Sequence, residues 1–271
     1  MKNKEIALVL MVAGLSSRFG GKPKQFAIIG PNKETLIEYS LNQALKAGFT
    51  KIIFVVGNKT KSLFKEKFGN NYNNVPVFYA YQEFNEKERE KPWGSLDAIC
   101  SAKEIIKTPF VVCNGDDIYG ENNFKTLVNH LISNKKETAT IGFPIKSVIP
   151  ENGKVNRGIF QIDKNNNVIS LKETIGINPQ NLEETKTSEN DLCSMNIFAL
   201  FPENLSELCL ILSDFKEKNK ESKTIEAYLP TAIDELIKTN KIKMKISPAQ
   251  DKWYGITNPE DEEAVREILK K

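Results

Sequence analysis

The chain has 271 residues, with 38 Lys+Arg against 35 Asp+Glu and a formal net charge of +3. The charges fall in short mixed runs, which excludes the basic block of a dedicated nucleic-acid-binding or membrane-surface protein. Hydrophobic residues at 40% and charged residues at 27% describe an ordinary folded chain with length enough for a buried core, and no run approaches the ~18 apolar residues of a membrane span.

The basic start at Lys2 and Lys4 is followed by an apolar run over 6–13 without a small-residue cleavage site behind it, so a cytoplasmic protein is expected instead of a secreted one. Short β-branched runs then alternate with segments of helical period, the pattern of a sheet built from βαβ crossovers. Strands are predicted over 6–12, 51–56, 75–81 and 110–113, with helices over 36–47, 60–68 and 95–106. The run Ile6-Ala7-Leu8-Val9-Leu10-Met11-Val12 is apolar throughout, as in a strand covered by helices on both faces. After a helix over 122–134 the order changes: strands are predicted over 138–144, 158–163, 168–171 and 195–200, then helices over 202–217 and 227–240, a strand over 243–247 and a last helix from 259. No low-complexity linker and no internal repeat divides the chain, so a single domain over 1–271 is expected.

Cys100, Cys113, Cys193 and Cys209 are isolated in sequence, which leaves no Cys-x-x-Cys pair for zinc or redox exchange. They read as small buried apolar residues of a reduced compartment. His130 is the one histidine, so no multi-histidine metal site exists, and its place in a Lys- and Asn-rich helix gives it packing or surface duty. Chemistry therefore falls to carboxylates, Lys, Arg, backbone amides and a hard metal ion.

Two segments can carry it. The first is the turn after the first strand, Ala13-Gly14-Leu15-Ser16-Ser17-Arg18, continuing to Lys22-Pro23-Lys24-Gln25. Small residues there leave backbone N–H groups open to phosphate oxygens, and three cations stand in the same loop. Neither the Gly-x-Gly-x-x-Gly fingerprint nor a Gly-Lys-Ser/Thr ending is present. A solvated basic loop is the plain alternative, but ligands of open α/β sheets bind at this carboxyl end of a strand. The second segment is Cys113-Asn114-Gly115-Asp116-Asp117, where a buried strand ends in adjacent carboxylates. Hard oxygens beside a phosphate loop suit Mg²⁺, and Asn-Gly-Asp-Asp is equally good turn chemistry. The mixed-charge run 85–91 reads as a solvated face or a flap.

Together these segments resemble the nucleotidyltransferase family of sugar-nucleotide pyrophosphorylases, whose opening motif runs Gly-x-Gly/Ser-x-Arg, then Pro-Lys, and whose metal Asp follows a buried strand. The likeness extends to Gln82, Trp93-Gly94-Ser95-Leu96, Glu173 and Trp253-Tyr254-Gly255. It implies a three-layer α/β/α Rossmann-like fold with a mostly parallel mixed central sheet, a nucleotide-binding half over 1–135 and an acceptor-binding half over 136–271. It further implies Mg²⁺-dependent joining of a nucleoside triphosphate to a phosphorylated acceptor, a sugar 1-phosphate, with release of pyrophosphate. In that frame Arg18 and Lys24 are catalytic, and Ala13, Gly14, Ser16, Ser17, Gln82, Gly94 and Ser95 bind the nucleotide. Lys172, Glu173 and Asn196 meet the acceptor, and Asp116 holds the metal. Paired hydrogen bonds from Gln82 to a pyrimidine edge favour UTP, dTTP or CTP.

This sequence departs from the family pattern at two places. Gly255 stands where many members carry a second metal-binding Asp, with Asp251 the nearest substitute. The family's Glu-Glu-Lys-Pro reads Leu171-Lys172-Glu173-Thr174 here. The chain ends soon after its last predicted helix, without the left-handed β-helix of some relatives. Two other classes stay open: a glycosyltransferase that takes a finished nucleotide sugar, and a nucleotide or sugar-phosphate sensor without turnover.

Overall fold

In the computed structural model, residues 4–14, 23–133, 136–150, 153–256 and 261–270 are described. The first strand, β1 (Ala7–Met11), leads to helix α1 (Leu36–Ala47) and strand β2 (Lys51–Val56). Helix α2 (Lys61–Phe68), the short β3 (Asn71–Tyr72), β4 (Val75–Tyr81), α3 (Ser95–Cys100) and β5 (Phe110–Asn114) follow. Next come β6 (Asp117–Ile118), α4 (Glu121–Ser133), β7 (Thr138–Pro144), β8 (Val155–Ile162), β9 (Val168–Ile177), β10 (Leu192–Ser194) and β11 (Phe198–Leu200). Helices α5 (Pro202–Lys218) and α6 (Leu229–Lys238), strands β12 (Met244–Pro248) and β13 (Tyr254–Gly255) and helix α7 (Asp261–Leu269) complete the order. Among the described residues no helix is long and apolar enough to cross a membrane.

The apolar run of β1 is explained by its two buried faces. Leu8, Leu10 and Val12 pack into one core with Ile37 and Leu41 of α1, Phe64 of α2 and Phe124 of α4, whereas Ala7 and Val9 pack into a second core with Leu96 of α3, Leu208 of α5 and Ile233 of α6. Period-2 alternation thus feeds both helical layers from one strand. A start signal fixes α1. Glu38 reaches back to accept the backbone N–H of Thr35 at 2.9 Å and its hydroxyl at 2.5 Å, and Gly48, at φ 107°, closes the other end.

The main sheet runs β3-β4-β2-β1-β5-β11-β7-β10-β8-β9, with β12 added beside β7. Its parallel pairs are β1 with β2 and β5, β2 with β4, and β7 with β12. Six antiparallel pairs join the rest: β3–β4, β5–β11, β7–β11, β7–β10, β8–β10 and β8–β9. The mostly parallel sheet expected from the sequence is therefore corrected to a mixed one. The cause is connection length: β1, β2, β4 and β5 are linked through helices, while the turn over 163–167 between β8 and β9 is too short for a crossover and forces an antiparallel return.

Several element boundaries also differ. The strand expected over 195–200 is shortened to β11 by Asn196, whose φ of 57° lies in the left-handed region, and β10 precedes it; both pair with β7, with β8 on the other side of β10 and β5 on the other side of β11. The helix expected over 95–106 ends at Cys100, and the strand expected over 168–171 continues to Ile177. Residues 134 and 259, where two helices were expected to end and to begin, lie outside the described residues.

Candidate active site

Parallel pairing sets Met11 of β1 opposite Asn114 of β5, and both strands end at the same edge. Ala13-Gly14 and Gly115-Asp116-Asp117 therefore leave the sheet side by side, with the Gly115 N–H donating to Met11 O at 3.1 Å. The Lys24 ammonium lies 2.5 Å from Asp116 Oδ2 and donates to the carbonyl of Ile256 at 2.9 Å. Ser16, Ser17 and Arg18, predicted in the same loop, lie outside the described residues.

The two adjacent carboxylates have different environments. Asp116 lines a cavity with a quarter of its side chain exposed. Asp117 turns inward into the β6–β13 pair opposite Gly255, where the Asn114 side-chain amide donates to it at 2.9 Å and the Tyr119 hydroxyl lies at 3.2 Å. Burial and then the neighbouring charge of Asp116 push the Asp117 carboxyl up to about 7, against the opposing pull of Asn114, Lys24 and Tyr119.

Beside this edge is a cavity of about 790 Å³ walled by Ala13, Gly14, Gln82 and the segment 84–92. Gln82 is buried, and its side-chain amide nitrogen donates to Gly94 O and to Asp97 Oδ2, each at 2.9 Å. Asp97 is held in turn by Lys216 at 2.5 Å. Both amide hydrogens of Gln82 are used within the protein, so it offers a ligand its carbonyl oxygen, not the paired donor and acceptor expected from the sequence. Gly94 has φ 96° and no room for a side chain, since a Cβ would lie 2.5 Å from Ala227 O. Ser95 Oγ accepts the Leu229 N–H at 2.9 Å, tying the start of α3 to that of α6.

The run 85–91 is not a solvated face throughout. Arg89 is buried over the Trp93 ring at 3.4 Å and donates to the carbonyls of Lys91, Ser222 and Ile225, so this wall is clamped to the segment before α6. Sequence reading missed it because Arg89 sits among residues of alternating charge.

A second cavity, about 670 Å³, has Lys24, Asp116, Arg157, Glu173, Asn196 and Trp253 in its walls. Burial holds the Glu173 carboxyl above its ordinary range, opposed by Arg157. Lys172 stands exposed opposite Ile159 and does not line this cavity. Asp251 is not brought to Asp116 either: its carboxylate accepts the Asn122 backbone N–H at 2.6 Å and the Asn122 side chain at 2.9 Å, at the start of α4. At Gly255 a Cβ would lie 2.4 Å from the Trp253 ring and 3.1 Å from Asp117 Oδ1, so the indole fills the place of a second carboxylate. Arg157 was missed because β8 begins at Val155, before the strand expected from 158.

Among the described residues no group of three or more His, Cys, Asp or Glu gathers as a metal cage. One open hard carboxylate, Asp116, suits an ion that completes its shell with substrate phosphates and water.

Residues 13–262 match the family described as Nucleotidyl transferase. A UTP–glucose-1-phosphate uridylyltransferase from Streptococcus pyogenes is 26% identical over 262 residues, covering 86% of this chain and 80% of its own. The UDP-glucose pyrophosphorylase from Acinetobacter baumanii has the same fold, with a TM-score of 0.67 at 16% identity over 97% of this chain and 92% of that one. So does the inositol-1-phosphate CTP transferase from T. maritima, with a TM-score of 0.66 at 14% identity over 99% and 96%. With the match spanning nearly its whole length, the chain belongs to the nucleotidyl transferase family.

Proposed function

We propose that this protein joins a nucleoside triphosphate to a phosphorylated acceptor, a sugar 1-phosphate or a related polyol phosphate, and releases pyrophosphate. The observation that carries the reading is the Lys24–Asp116 pair, at 2.5 Å, on the wall of a cavity at the carboxyl ends of β1 and β5. An acceptor phosphate oxygen attacks the α-phosphorus, a new P–O bond forms, and the bond to the β-phosphate breaks with its electron pair leaving on pyrophosphate. No covalent protein intermediate is needed, so the protein contributes position and charge. Lys24 neutralises Asp116 in the free protein and bridges the α-phosphate and the acceptor once they enter. Backbone amides of Gly14 to Ser17 would bind the phosphates, and Arg18 would stabilise the departing pyrophosphate. Asp116 would hold Mg²⁺, which when bound supplies charge neutralisation to the phosphate oxygens.

Gln82 presents a carbonyl oxygen, which complements the N3–H of uracil or thymine and equally the exocyclic amine of cytosine. UTP, dTTP and CTP are therefore the donors expected. The reading is checked by melting the wild type and Asp116→Ala with ATP, GTP, CTP, UTP and dTTP, each with and without Mg²⁺. The expected result is a Mg²⁺-dependent rise for one of the pyrimidine triphosphates, about 2.7 kcal/mol at 100 times Kd, absent in the variant. Pyrophosphate release is then followed with glucose 1-phosphate, inositol 1-phosphate and phosphocholine. Absence of any nucleotide shift sinks the reading; binding without turnover leaves the sensor.

A further inference from the structure

The guanidinium of Arg157 lies in the wall of the cavity that contains Lys24 and Asp116. It has five N–H donors. One goes to the carbonyl of Asn156 at 3.0 Å and one to that of Val148 at 2.9 Å, while Nε is buried without a partner. No carboxylate of the described residues comes within 4.0 Å of it; Asp117, Glu173 and the Cys193 thiol act on it only through space. Its ring neighbour is Trp253, 5.9 Å from centroid to guanidinium carbon, whose own Nε1 is also buried and unpartnered. A guanidinium drawn out of water is costly unless paired, and the cost here is visible as a lowered pKa caused by burial.

The same cavity contains a second cation, Lys24, already matched by Asp116. Asp117 and Glu173 stand in the same walls and act on Arg157 through space, but neither contacts its guanidinium, so among the described residues in these walls Arg157 is the cation without a contacting carboxylate. Lys172, the cation that the sequence resemblance would put on the acceptor, is exposed and outside the cavity. Arg157 stands where the β8–β9 ladder shifts register, between Val155 and Arg157, and the carbonyls of Asn156 and Val148 hold its head in place. A planar donor fork, preset and lacking its anion, fits a phosphate.

We propose that Arg157 is the acceptor-binding cation of this chain, pairing with the phosphate of the incoming acceptor, and that Lys172 takes no part. The assignment rests on the nucleotidyl-transfer reading above and deepens it.

The chain has two tryptophans, so a Trp93→Phe background leaves Trp253 as the reporter beside Arg157. Its emission is titrated with inorganic phosphate, glucose 1-phosphate and, as the uncharged control, glucose. Both phosphates are expected to shift the emission saturably and glucose is not. Arg157→Gln weakens both at least about tenfold, equivalent to about 1.4 kcal/mol. Arg157→Lys keeps the charge without the fork and falls between, and Lys172→Gln matches the background protein. Melting temperatures check that each variant is folded, and Arg157→Lys stands in if Arg157→Gln is not. Unchanged phosphate binding in Arg157→Gln, loss in Lys172→Gln, or no phosphate binding in the background protein overturns the proposal. Failure of the transfer reading shows elsewhere, as absence of triphosphate binding and pyrophosphate release in the wild type.

Discussion

Lys24 illustrates how one side chain links sequence to chemistry. It follows Pro23 at the start of a short 3-10 turn, and its ammonium reaches both Asp116 and the carbonyl of Ile256. Removing such a cation from a phosphate site typically removes a few kcal/mol of transition-state stabilisation, as with single oxyanion donors. Lys24→Ala is expected to lower turnover at least about 100-fold and to leave the two cores unaltered, with Arg18→Ala lowering it comparably. Steady-state rates of pyrophosphate release check this, and near-normal turnover in either variant removes that residue from the mechanism. Residues of this kind are legible in sequence because they belong to strand ends: a buried apolar run that stops at Ala13-Gly14 or Gly115-Asp116 marks where backbone and carboxylate emerge. Arg89 and Arg157 are not legible in the same way. Each is one charged residue among polar neighbours, and its meaning comes from carbonyls brought to it by distant segments, Ser222 and Ile225 for the first and Val148 for the second.

Among the elements, α1 shows a local signal reinforced by a tertiary one. Thr35 and Glu38 form its start, and Lys67 at the end of α2 adds an ion pair to Glu38 at 2.8 Å. Burial tends to raise the Glu38 carboxyl, but the hydrogen bonds from Lys67 and Thr35 outweigh it and hold the group below its ordinary 4.5. A carboxyl with a depressed folded pKa contributes stability above its unfolded pKa and loses it as pH falls through the folded one. Glu38→Gln is thus expected to melt lower than wild type at pH 7, by roughly 2–4 °C for a cap of ~1 kcal/mol. The gap should close as pH drops below 4.5; thermal melts of both proteins from pH 7 to pH 3 test this, and a gap independent of pH rejects the account. Helices with such starts, and strands buried on both faces, are readable from period and capping residues. The break at Asn196 is not: a left-handed residue separates β10 and β11 where both lie along β7 in different register and turn their other edges to β8 and β5.

Across the whole molecule, the proposed function would divide two duties along the mixed sheet. Ala13, Gly14 and Gln82 follow β1 and β4 in the helix-connected part, whereas Arg157 and Glu173 ride on the β8–β9 ribbon at the far end of the strand order. Lys24 and Asp116, on the wall of the second cavity at the ends of β1 and β5, stand at the junction that both substrates would share. The ribbon is an edge, so its placement depends on what holds it: β10 along one side, and α6, where Asp234 accepts the Leu171 N–H at 2.8 Å and pairs with Lys238 at 2.6 Å. Sequence period alone could not predict this, because short antiparallel returns and helix crossovers leave similar strand signals and differ only in the turn between them. Asp234 is therefore expected to act as a positioning residue for the acceptor side. Asp234→Ala leaves a backbone N–H without its partner, a cost of about 1–3 kcal/mol, and lets the ribbon shift relative to Asp116. The acceptor KM should rise several-fold, the triphosphate Kd should stay at the wild-type value, and kcat at saturating acceptor should change less than KM. A merely structural role would instead lower the melting temperature and weaken both substrates together. Measuring the two binding constants separately decides between them: a triphosphate Kd that rises in step with the acceptor KM would show that the β8–β9 ribbon does not serve the acceptor alone.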